Sequence, residues 1–128
     1  MTLSVTESIN LEVVDGRRII FTTAADRKVT QTGFEELFSA RVDLPASTAI
    51  YNLPLGGIEE SYKLYFRSTK PIKMKLVPVG GDVSTTPLVE LIPDTPNYVG
   101  FKLKEVWISN PFLEAALLTI ASVGTNAP

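Results

Sequence analysis

Apolar and polar residues alternate along most of this chain with a period of two, the spacing of strands that bury one face. Ile9, Leu11 and Val13 alternate with Asn10 and Glu12. Asp15-Gly16 follows, and then the β-rich run Ile19-Ile20-Phe21. Asp-Gly between two such runs predicts a hairpin, because the central turn residues take positive φ. Thr23 to Gly33 is polar and reads as a loop. Phe34 to Phe38 is compatible with a helical turn, but Phe38, Ala40, Val42 and Leu44 then share one face against Ser39, Arg41 and Asp43. That is a strand, which Pro45 ends or confines to a sheet edge.

A short strand over Ile50 to Leu53 precedes the turn Pro54-Leu55-Gly56-Gly57. The clearest passage is Tyr62 to Val77. Tyr62, Leu64 and Phe66 alternate with Lys63, Tyr65 and Arg67, and a Ser68-Thr69-Lys70-Pro71 link leads to Ile72-Lys73-Met74-Lys75-Leu76. Two such runs with a short polar link predict an antiparallel pair with one wet face. A loop over Gly80 to Pro87, a strand over Leu88 to Ile92 and a turn over Pro93 to Asn97 come next. Val99, Phe101 and Leu103 are expected to face inward, with Lys102 and Lys104 outward, and Val106 to Ser109 continues that sheet. Phe112 to Val123 mixes helix formers (Glu114 to Leu118) with the strand-like Thr119 to Val123. We read it as a strand that closes a hairpin through Asn110-Pro111.

The expected fold is therefore all-β, an antiparallel β-sandwich or jelly roll of eight or nine short strands. The 128 residues suit a single domain over 1–128, with extended arms expected at 1–8 and 124–128. An apolar share of 45% is enough for a core without disulfides or metals. The first residues lack a basic segment followed by an apolar one, so no secretory signal is expected. Apolar runs stay far short of the roughly 20 residues that span a bilayer, and the chain reads as soluble, with no membrane partner.

The absence of both histidine and cysteine removes the most chemistry. Ser-His-Asp and Cys-His triads and thiolate or imidazole metal sites are excluded, which leaves carboxylates, Lys, Tyr, Ser and Thr for any reaction. Glu35-Glu36 and Glu59-Glu60 are the adjacent acids. Neighbours on a strand point to opposite faces, so neither doublet alone gives the facing pair of a glycosidase, and a cross-pair such as Glu36 with Glu59 stays open. Gly56-Gly57 and Gly80-Gly81 lack phosphate-loop spacing and read as turns. Asp82 and Asp94 are loop acids without the oxygen-ligand density of a calcium loop. No catalytic residue, cofactor or metal is expected.

Charge is uneven beneath a net −2. Residues 1–60 hold nine acids and five bases, and residues 61–110 hold four acids and seven bases. Lys63, Arg67, Lys73 and Lys75 are expected on the wet face of one hairpin with Tyr65 between the first two, extended by Lys102 and Lys104. Interleaved bases and aromatics bind single-stranded nucleic acid in some folds, and ordinary solvation or an acidic protein surface suits the same pattern. We take these seven residues as the candidate protein-contact face, with head-to-tail contact between copies as one use and nucleic acid as the less favoured partner. Tyr51 and Trp107 are the candidate aromatic contacts.

Ala40-Arg41-Val42-Asp43-Leu44-Pro45-Ala46-Ser47, leading to Leu55-Gly56-Gly57-Ile58, is one part of a wider resemblance. The others are Tyr62 to Ser68, Lys70 to Leu76, and Val106-Trp107-Ile108-Ser109-Asn110-Pro111 with the apolar strand that follows. Together they resemble the small β-sandwich proteins of tailed-bacteriophage virions, of the capsid decoration, cement or tail accessory kind. The resemblance implies a non-enzymatic virion component made in the host cytoplasm. It also implies many copies, a homo-oligomeric state such as a trimer, and other virion proteins as partners. The alternative from another class is a carbohydrate-binding sandwich that stacks sugars on Trp107, Tyr51 or Tyr98.

Overall fold

The computed structural model describes residues 3–7, 12–16, 18–22 and 29–126, and these fall into two compact units, residues 1–34 and 35–128. In the first unit, β1 (Leu3–Glu7) pairs antiparallel with β4 (Val29–Phe34), and β2 (Glu12–Asp15) pairs with β3 (Arg18–Thr22). The hairpin expected at Asp15-Gly16 forms, and Gly16 has the positive φ (61°) the turn requires. It closes one residue later than expected, since Asp15 itself pairs with Arg18. Polarity misled the reading of Thr23 to Gly33, because Val29 to Gly33 belongs to β4. Ile9, Leu11 and 23–28 lie outside the described residues.

The second unit holds β5 (Glu36–Leu44), β6 (Thr48–Asn52), β7 (Ile58–Ser68), β8 (Lys73–Pro78), β9 (Val89–Glu90), β10 (Asn97–Val99), β11 (Leu103–Asn110) and β12 (Ala116–Asn126). All pairings are antiparallel. They place β5-β12-β7-β10 side by side in one sheet and β6-β11-β8-β9 in the other. The two meet at one corner, where Leu103 at the start of β11 pairs with Ser61 in β7. Every successive connection except β8 to β9 passes from one sheet to the other. Two four-stranded sheets wound in this order form a jelly roll. The described residues contain no helix, and the strand reading of Phe112 to Val123 holds for β12.

Each sheet presents its apolar stripe to the other. Leu44 from β5, Leu64 and Phe66 from β7, and Leu118 and Ile120 from β12 meet Ile72, Met74, Leu103, Val106 and Ile108 in one core. Burying each such side chain contributes about 1.5–3 kcal/mol. Two buried hydroxyls, Ser61 and Ser122, bond to each other at 2.6 Å between β7 and β12, so neither is left unsatisfied.

Two expected hairpins are crossovers instead. β7 and β8 do not pair, because the Ser68–Pro71 link carries the chain from one sheet to the other; four extended residues reach about 13 Å, enough for the roughly 10 Å between stacked sheets. Nor does β11 pair with β12 across Asn110-Pro111. Asn110 is the last residue of β11, fully buried, and it stitches this end of the sandwich. Its Nδ2 donates to the carbonyls of Leu44 (3.0 Å), Pro45 (3.2 Å) and Glu114 (2.8 Å), and its Oδ1 accepts the Phe112 amide at 3.2 Å. The corner thus depends on one side chain reaching two loops.

The segments expected as arms carry strand. Leu3–Glu7 is β1, and β12 runs on through Gly124 and Thr125 to Asn126. Gly124 is buried at a bulge of β12, where a Cβ would run into the backbone carbonyl of Glu60. Phe101, expected inward, is exposed, because β10 ends at Val99 and residues 100–102 turn the chain toward the other sheet.

Candidate functional site

The jelly roll divides the seven basic-face candidates among three places. Lys63, Tyr65 and Arg67 lie on the outward side of β7, since Leu64 and Phe66 between them are buried. Tyr65 stands opposite Tyr98 of β10, and the Lys63 ammonium sits 5.7 Å from the Tyr98 ring centre, within cation–π range. Arg67 faces Asp94 at 3.6 Å, with both side chains at least half exposed, so the pair adds little to stability. This patch is a mixed surface of two Tyr rings, two cations and an acid.

Lys73 and Lys75 lie on the outside of the other sheet, on β8. Lys73 is opposite Glu90 of β9, and Lys75 is opposite Trp107 of β11. The Lys75 ammonium donates to the Val83 carbonyl at 3.2 Å, tying down the long β8–β9 loop. Lys102 and Lys104 flank Leu103 at the corner between sheets. Lys102 is 5.1 Å from the Tyr62 ring centre, and Lys104 donates to the Gly81 carbonyl at 2.9 Å. The expected single face is therefore absent. β7 and β8 belong to different sheets, and alternation along a strand does not reveal its neighbour.

Trp107 and Tyr51 also part company. Tyr51 is half-buried and packs against the core, opposite Ile108. Trp107 points outward, half-buried, with its indole N–H donated to Glu105 Oε2 (3.2 Å). The same oxygen accepts from Asn52 Nδ2 at 2.9 Å. Beyond this trio lies a feature no local motif announced: an open groove of about 530 Å³ lined by Ile50, Lys75, Leu88, Ser109 and Pro111 among others. It draws on β6, β8, β11 and three loops, which only the fold brings together.

Glu36 packs its carboxylate over Gly57, Asp94 faces Arg67, and Asp82 Oδ1 accepts the Ser84 amide at 3.1 Å. That amide bond, with Ser84's side chain and the nearby Lys104 charge, holds the Asp82 carboxyl below its ordinary range despite a small opposing desolvation. Among the described residues no cluster of three or more metal-ligating side chains forms. Comparison with protein-family models, with curated proteins and with solved structures finds no match.

Proposed function

We propose that the chain is a non-enzymatic virion structural protein of the tailed-bacteriophage kind, which decorates or cements a capsid or a tail component through protein–protein contacts. The observation that supports this reading most is the jelly-roll winding of residues 36–126, an architecture used by viral capsid proteins as well as by lectins and cupins. A metal-dependent cupin site relies on histidine ligands, and this chain has none. The lectin-like reading draws on Trp107, Tyr51 or Tyr98; Tyr51 packs on the core and the Trp107 N–H is already used, which leaves Tyr98, 40% exposed, as its main support. What the surface does present is several modest patches on separate sides, which suits a component that touches several neighbours weakly and gains avidity from many copies. Homo-oligomerisation and attachment to other virion proteins belong to the same proposal.

Mass spectrometry of particles purified from the encoding source, together with a glycan array probed with the pure protein, tests it. Peptides of this chain at a stoichiometry comparable to the major capsid or tail protein are the expected result. Absence from particles combined with saturable glycan binding would replace the proposal with the carbohydrate-binding one.

A further inference from the structure

The two sheets have four edges, and three of them are blunted. β10 is three residues long and follows Pro96, β9 is two residues between Pro87 and Pro93, and β6 is five residues between Pro45 and Pro54. Short strands and flanking prolines are the usual protection against pairing with another chain. β5 is different. It runs nine residues without proline, pairs with β12 in unbroken register, and has no second partner strand within residues 35–126.

Its side chains carry a second signal. Phe38, Ala40 and Val42 point toward the core yet remain half-buried, and Leu37 on the outer side is 59% exposed. Arg41 and Asp43 flank Val42 on the outer face, both exposed, and neither has an ion-pair partner within the described chain. A dyad through Val42 would place Val42 against Val42 of the second copy, and each Arg41 directly opposite the other copy's Asp43. Opposite residues of an antiparallel pair project to the same face, so both charge pairs form on the solvent side. A dyad at Arg41 would instead oppose like charges. Charges on an edge normally repel a second strand; here their order makes the strand complementary to itself.

From these features we infer that the free edge of β5 is a self-association site, where a second copy of this chain adds its own β5 antiparallel about a two-fold axis at Val42. The β5-β12-β7-β10 sheet then continues across the axis into its symmetry mate. The contact is isologous. Five residues of each strand, 40–44, overlap before Pro45 ends the ladder. The inference does not depend on the virion reading.

Sedimentation velocity of the full chain over a concentration series tests the contact, with circular dichroism confirming that each variant keeps its fold. Wild type should show a monomer–dimer equilibrium that weakens as salt is raised. Arg41→Asp and Asp43→Arg should each weaken self-association by about tenfold or more, because two attractive cross-strand pairs become two repulsive ones. An equimolar mixture of the two variants should dimerise again, since every Arg then faces an Asp. A wild type that stays monomeric throughout, or association that both single substitutions leave intact, would overturn the inference.

Discussion

β11 and β5 carry the same alternating pattern and end in very different surroundings. In β11, Val106 and Ile108 are wholly buried, with β8 on one side and β6 on the other. In β5, the equivalent inward residues Phe38, Ala40 and Val42 are half-buried, because β12 pairs along one side and no other strand of residues 35–126 pairs along the second. Alternation is thus a statement about which face a residue points to. How much free energy that face gains depends on strand position in the sheet, which local sequence does not encode. An interior strand spends its pattern on the core, and an edge strand keeps part of it for contact.

The comparison can be broken most severely from the β11 side. Ile108→Ala should cost about 3–4 kcal/mol of unfolding free energy in denaturant titration, since the cavity opens where both sheets converge. Asn110→Leu should cost about 3 kcal/mol, because it removes the donors that hold the β5 terminus at Leu44 and the loop at Glu114, leaving carbonyls orphaned. It is the change that uncouples the two strands at this corner. Val42→Ala, at the edge, should cost only about 1 kcal/mol in the monomer, as its side chain is partly solvated already. Equal costs at Ile108 and Val42 would show that β5 is as enclosed as β11.

The smallest effect is a pH dependence. Asp82 has its carboxyl held below the ordinary 3.8, so its contribution is present above that value and fades as pH falls through the folded-state pKa. Asp82→Asn should therefore slightly lower stability near neutral pH and flatten the loss on acidification below about pH 4. A variant whose acid limb of stability against pH superimposes on wild type would show that the Ser84 bond contributes nothing measurable.

Much of the second unit was legible from residues. Period-two runs locate β5, β7 and β8, Pro45 marks the end of β5, and the strand-like Thr119 to Val123 outweighs the helix formers before it. Partners were not legible. Ser68–Pro71 and Asn110-Pro111 have turn chemistry, which serves a hairpin and a sheet-to-sheet crossover equally. From that single ambiguity comes the expectation of one face for Lys63, Arg67, Lys73 and Lys75, which the two sheets divide. β4 was missed because its strand, Val-Thr-Gln-Thr-Gly-Phe, is largely polar. The groove near Ile50 and the stitching by Asn110 arise from residues far apart in sequence, and Asn110 looked like an ordinary turn former.

Residue-resolved amide hydrogen exchange on a dilute sample tests the account most directly. With β12 seated between β5 and β7, its amides should exchange only on global unfolding. Along β5, protection should alternate, every second amide facing solvent and exchanging fast, and the fast ones within residues 40–44 should slow as concentration rises. Uniform protection of β5 at dilution, or alternating protection along β12, would contradict both the strand order and the open edge.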